Sequence, residues 1–170
     1  GLVVAEPFSQ WVIEDKFCSG RPQWDDVGAA LVADVAPYET AKLRLLNGSH
    51  SALAFIGLLE GHEFIHQVME DGNMASFVRH LMQEEVRTTL QVPDGFDVGQ
   101  YIDSIVERFA NSTLPYRTAQ VAMDGTQKLP QRLLGTAMDR LGDKKGIDAI
   151  SLAIAAWIRY VTVEDERGRR

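Results

Sequence analysis

Lys42, Asn47 and His50 stand in the pattern Lys-x4-Asn-x2-His within Ala41-Lys42-Leu43-Arg44-Leu45-Leu46-Asn47-Gly48-Ser49-His50. An ammonium, an amide and an imidazole are the groups needed to move a proton, steady a developing negative charge on oxygen and orient a hydroxylated ligand. At about 100° per residue, Asn47 falls roughly 140° and His50 roughly 80° around a helix from Lys42. The three therefore share an arc a little wider than a third of the helix, with Leu43 and Leu46 between them. A Lys set among apolar neighbours without a carboxylate is costly to keep charged, and such a cost is carried where a proton must move. The bland alternative is a solvated Lys, a helix-interrupting Asn-Gly and a surface His.

The elements that must position these groups read as mainly helical. Residues 1–38 read as an extended segment, with short strands at Leu2-Val3-Val4-Ala5 and Trp11-Val12-Ile13 and a turn at Gly20-Arg21-Pro22. Pro37 starts a helix, and 38–70 reads as one buried core helix in which Gly57 and Gly61 allow close packing or a bend. Amphipathic helices follow over 74–90 and 97–110, the second with Tyr101, Ile102, Ile105, Val106 and Phe109 inward. The stretch 114–123 is ambiguous. A helix over 128–141 and a last one from Asp148, its cap, to Tyr160 complete the chain. The last helix is apolar nearly all round and is expected at the centre.

The bulk properties narrow the classes. The chain has 170 residues, 45% hydrophobic and 24% charged, which is one ordinary globular domain or a piece of a larger protein. Its 17 basic and 24 acidic residues leave a net charge of −7, against a nucleic-acid partner. It has no run of about 18 apolar residues, so no membrane span is expected. The N-terminal residues lack the basic region of a signal peptide. The single Cys18 excludes an internal disulfide, fits a reducing, cytoplasmic setting and is expected to be buried or inert. No glycine-rich phosphate-cradling loop is present.

A competing signal is His62-Glu63-Phe64-Ile65-His66, a literal His-Glu-x-x-His. Two His at i and i+4 of one helix can share a zinc ion, with the Glu activating water and Glu84 or Glu85 spaced as a third ligand. That reading makes a zinc-dependent hydrolase; the bland one makes His62 and His66 polar positions on an amphipathic helix and is preferred, with no metal expected. His80 is expected to be solvated. A third reading is a non-catalytic helical interaction module, in which Lys42, Asn47 and His50 point apart.

Several stretches in fixed order resemble the C-terminal domain of the polyol-specific long-chain dehydrogenases, the mannitol dehydrogenase family. They are Glu6-Pro7-Phe8-Ser9-Gln10-Trp11-Val12-Ile13-Glu14-Asp15, Gly20-Arg21-Pro22, Pro37-Tyr38-Glu39 running into Lys42 to His50, Arg108-Phe109, and Met123-Asp124-Gly125-Thr126-Gln127-Lys128-Leu129-Pro130-Gln131-Arg132. The resemblance covers most of residues 5–160. It implies an all-α domain like the C-terminal half of 6-phosphogluconate dehydrogenase, here spanning residues 1–170. It further implies that the chain is a fragment whose partner is an N-terminal Rossmann domain that binds most of the NAD, and that it has no turnover alone. Carried across, Lys42 matches the catalytic acid/base, Asn47 a donor to the reacting oxygen, His50 a substrate contact and Lys128 a substrate-binding Lys. Mannitol-oxidising members tend to carry Arg where this chain has Gln120, so the fructuronate reductase branch is favoured over mannitol 2-dehydrogenase. A sugar acid needs a cation for its carboxylate, and Arg117, Lys128 and Arg132 are the candidates.

Overall fold

The computed structural model describes residues 9–162. Helices dominate, as expected. Among the described residues the only sheet is a parallel pair, β1 (Trp11–Glu14) and β2 (Ala29–Val32), in the register Trp11 with Ala29 through Glu14 with Val32. Parallel strands need a crossover of a dozen or more residues. Here a 3₁₀ turn at Trp24–Val27 supplies part of it, ended by Gly28 at φ 93°. The first strand is readable from its apolar run; the second is not, because its Ala-rich run is too short to show a period. The expected strand over residues 2–5 lies outside the described residues.

One long helical rod carries the candidate site. It begins with α1 (Ala36–Ala41), has Pro37 in its first turn, widens into a π-turn (Lys42–Gly48) and continues as α2 (Ser49–Leu59). It does not run on to residue 70. Gly61 takes φ +85°, its N–H bonds the Leu58 carbonyl at 3.2 Å, and the His62 N–H bonds the Gly57 carbonyl at 2.8 Å. This is a Schellman ending, which a glycine just past the helix allows. The chain then re-enters a helix as α3 (Ile65–Glu70), packed so close to α2 that a Cβ on Gly57 would collide with Val68. Two further rods follow. In one, α4 (Gly72–His80) runs into a second π-turn (Leu81–Val86), and α5 (Val98–Ala110) is separate. After α6 (Thr118–Ala122), the other joins α7 (Gly125–Leu129), a third π-turn (Pro130–Leu134) and α8 (Gly135–Gly142). The last helix among the described residues is α9 (Asp148–Thr162).

The centre is α2 and not α9. Ala52, Leu53, Ala54 and Phe55 are all at most 1% exposed, whereas α9 buries only Ala149, Ile150, Ala153 and Ala156 against α2 and leaves Leu152, Ile158 and Val161 half exposed. Apolar character all round did not make α9 central because only its small-residue face can approach another helix closely. Its start is also capped otherwise than expected. The buried Glu85 of the second π-turn accepts from the Ala149 and Ile150 N–H groups at 2.7 and 2.9 Å, so a carboxylate from elsewhere, and not Asp148, meets the amide end. Arg140 of α8 locks the same corner, donating to the Glu84 carbonyl and the Gly146 carbonyl at 2.6 Å each and to Thr88 Oγ1 at 2.7 Å. Among the described residues no helix is long and apolar enough to cross a membrane.

Candidate functional site

The π-turn changes the geometry of Lys42, Asn47 and His50. A π-turn closes i→i+5 hydrogen bonds and takes up one residue more than the α-helix around it. That extra residue sets the phase back by about 100°. Lys42 and Asn47, roughly 140° apart in a plain helix, come to stand as i and i+4 do, and His50 follows as i+7 does. All three then lie on one stripe. The local sequence supports a widened turn. Ser49 Oγ donates back to the Leu45 carbonyl inside the rod, competing with the ordinary ladder, and the missing side chain of Gly48 allows a neighbour against the backbone. That neighbour is the third π-turn: a Cβ on Gly48 would stand 2.5 Å from the Arg132 carbonyl oxygen.

The stripe grades from open to closed. Lys42 is exposed, Asn47 and His50 half-buried. The expected apolar enclosure of Lys42 is therefore not formed among the described residues: Ala41 and Leu45 are buried, while Lys42 is exposed. His50 is held by aromatic rings. Its imidazole stacks on Phe109 at 5.0 Å between centroids and meets the edge of Tyr116 at 5.5 Å. His50 Nε2 is buried and has no hydrogen-bond partner among the described residues. Burial first, then the nearby charges of Arg132, Arg108 and Lys128, pulls its pKa down from 6.5 to about 4. His50 is thus a neutral ring at physiological pH, suited to exchanging hydrogen bonds with hydroxyls and not to carrying a charge.

Three cations lie near enough to act on the charge of His50: Arg132, Arg108 and Lys128. Lys128 lies at the end of α7, its Nζ 3.9 Å from Asp124 one turn earlier, which is too long for a hydrogen bond. Arg132 donates through Nη1 to Ser51 Oγ at 2.9 Å and makes a long contact of 3.5 Å with the Asn47 carbonyl. Arg108 belongs to the last turn of α5. Arg117, expected here, is engaged elsewhere. It pairs with Glu63 at 3.0 Å, lies over the Phe64 ring at 5.6 Å, and is not among the cations that shift His50. An antiparallel bridge between Phe64 and Arg117 fixes that arrangement. Gln120 lies on α6, exposed. Sequence reasoning missed Ser51, Tyr116 and the place of Arg108. Ser51 is four residues past Asn47, a spacing that was available. The tertiary contacts of Tyr116 and Arg108 had no local signal beyond the Arg108-Phe109 pair.

The His-Glu-x-x-His stretch does not form the helix a shared zinc ion needs. His62 ends the Schellman motif, Glu63 is paired with Arg117, and only His66 is helical, stacked on Phe64 at 5.6 Å. Glu85 is committed to capping α9. No three His, Cys, Asp or Glu side chains among the described residues gather as a metal would require. Cys18, expected buried or inert, is exposed.

The family model described as the mannitol dehydrogenase C-terminal domain matches residues 34–170, and the chain belongs to that family. D-mannonate oxidoreductase of Escherichia coli is 47% identical over 166 residues, covering 98% of this chain and 34% of that protein. Mannitol 2-dehydrogenase of Aspergillus niger is 38% identical, again over 98% of this chain and 35% of the relative. The Pseudomonas fluorescens mannitol 2-dehydrogenase, solved as a ternary complex with NAD and D-mannitol, superimposes with a TM-score of 0.87 at 39% identity, covering 96% of this chain and 33% of that one. The chain thus spans about a third of the length of the relatives it matches.

Proposed function

We propose that this chain is the substrate-binding and proton-transferring part of an NAD-dependent oxidoreductase that interconverts a keto-sugar or keto-sugar acid with its polyol or hexonate, fructuronate and mannonate being favoured over fructose and mannitol. The observation that carries the reading is the stripe of Lys42, Asn47 and neutral His50 bordered by Lys128, Arg132 and Arg108. NAD, when bound, supplies or accepts the hydride. Among the described residues there is no glycine-rich cradle for its phosphates, so a preceding Rossmann domain would hold most of it, and the open side at Lys42 suits a site completed from outside.

Lys42 then takes the proton of the substrate hydroxyl in oxidation and returns it in reduction. The Asn47 amide donates to the oxygen as negative charge develops on it. His50 Nε2, buried and unsatisfied, gains a partner when a sugar hydroxyl arrives. Lys128 meets the carboxylate or end hydroxyls, with the charge of Arg132 and Arg108 adding to the positive field. A positive field favours an anionic ketone, and relatives named for mannonate and for mannitol bracket the choice.

The test is a substrate panel on the complete polypeptide. NADH consumption with fructuronate at a kcat/KM above that with fructose is the expected result; failure of both ketones rejects the proposal. In the same protein Lys42→Ala is expected to lower kcat by about 10²–10⁴-fold, the contribution of a general acid/base. A nearly unchanged rate removes Lys42 from that role.

A further inference from the structure

Arg132 has a position that suits a strut better than a ligand. Its Nη1 is occupied by Ser51 Oγ at 2.9 Å, with the Asn47 carbonyl at 3.5 Å. Its Nε is buried and without a hydrogen-bond partner among the described residues, so that edge of the guanidinium is closed to solvent. Its own backbone carbonyl is pressed against Gly48, where even one methyl group would intrude. These contacts gather at the C-terminal end of the π-turn: Asn47 and Gly48 are its last two residues, and Ser51 lies one helical step beyond. A widened turn is poorer in hydrogen-bond geometry than the α-helix around it and relaxes unless its surroundings hold it. The side chain that holds the end of this turn belongs to the third π-turn, in which Pro130 removes one backbone donor.

We propose that Arg132 is a positioning residue, gripping the Ser51 hydroxyl and the Asn47 carbonyl so that the π-turn keeps Lys42 and Asn47 on one stripe, and that Ser51 is its anchor. The proposal rests on the functional reading given above for Lys42 and Asn47, and it replaces the assignment of Arg132 as a direct carboxylate ligand. An arginine suits the place because its planar guanidinium lies with Nε buried while Nη1 meets the Ser51 hydroxyl, whereas a Lys offers one point charge on a flexible stem.

The experiment uses the complete polypeptide with Ser51→Ala, Arg132→Lys, the double variant, and Lys128→Met for comparison. Kinetics are followed on whichever of fructuronate and fructose the unmodified protein reduces. Ser51→Ala and Arg132→Lys are each expected to lower kcat about 10-fold or more with KM within about 3-fold, the pattern of an interaction felt in the transition state. The double variant is expected to be no slower than Arg132→Lys, because one contact is removed twice. Lys128→Met is expected to raise KM instead. If Arg132→Lys raises KM about 10-fold or more for the acid alone with kcat held, Arg132 is a ligand and the proposal falls; unchanged kinetics in both variants also overturn it. Amide hydrogen exchange gives a readout that needs no substrate. Ser51→Ala is expected to speed exchange across residues 47–52 about 10-fold or more while α5 keeps its rates, and unaltered exchange there overturns the proposal even if neither ketone proves to be the substrate.

Discussion

His50 shows how much of a side chain's chemistry is set by its neighbours. The imidazole lies flat on Phe109, edge-on to Tyr116, and within the field of Arg132, Arg108 and Lys128. Burial between the rings and the surrounding positive charge both disfavour the imidazolium, so the folded protein binds a proton at His50 less readily than the unfolded chain does. Stability is then fully present above the unfolded value of 6.5 and is lost as pH falls from there toward about 4. Up to about 3 kcal/mol is at stake, since each tenfold weakening of proton binding is worth roughly 1.4 kcal/mol. Denaturant melts at pH 7 and pH 4.5 measure it. His50→Gln is expected to shrink the difference between the two pH values, and an identical difference in the variant would show that other groups control acid sensitivity. Residue identities were legible in the sequence here, since the Lys-x4-Asn-x2-His spacing named the three groups. Their environments were not: the exposure of Lys42 and the ring stack around His50 depend on elements distant in the chain. Arg117 shows the same limit, because its partner Glu63 meets it through a bridge that no local pattern announces.

Three of the helical segments among the described residues contain a π-turn, and two of these turns send a side chain to another element: Glu85 from the second to the start of α9, and Arg132 from the third to Ser51 of α2. Helix existence was readable from the 3.6-residue period and the Pro37 start, but a π-turn was not, because its apolar residues still recur at helix-like spacing. The long helix read over 38–70 fails for a different reason. Gly61 marks a bend in the sequence, and the Schellman hydrogen bonds make it a stop. Two predictions belong to this scale. Gly48→Ala places a methyl group 2.5 Å from a backbone carbonyl that cannot swing aside; a loss of about 1–3 kcal/mol is expected, as for overpacking, with kcat falling alongside because Asn47 is next in the chain. Glu85→Ala removes the carboxylate that accepts from two amide donors at the start of α9, and a cost of about 2–3 kcal/mol is expected. Asp148→Ala, by comparison, is expected to stay within about 0.5 kcal/mol. Urea unfolding midpoints at constant m-value separate these outcomes.

At the scale of the whole molecule, the proposed function has the site completed by a companion domain. Lys42 faces outward, the described residues offer no dinucleotide cradle, and relatives are about three times as long. The isolated chain is accordingly expected to leave NADH unconsumed with either ketone, while the complete polypeptide consumes it. Turnover by the chain alone at a comparable rate would show that it needs no companion domain. The fold class and family could be read from the sequence because several motifs stand in fixed order. The arrangement of the layers could not. Apolar content pointed to α9 as the centre, whereas the small residues of α2, with Gly57 against Val68, let that helix be approached from several sides.

The widened turn at Lys42–Gly48 also gives the rod room for one particular change in length. Removing one residue from that turn would let it relax into an ordinary helix, in which seven steps from Lys42 to His50 give the phase that eight steps give across the widened turn. Leu53 and Phe55 would stay in the interior, and Lys42 would keep its phase relative to His50. A turn that relaxed at its full length would instead rotate everything beyond it by about 100° relative to everything before it. A single-codon deletion here is thus a smaller disturbance of the framework than the loss of the contacts that hold the turn open.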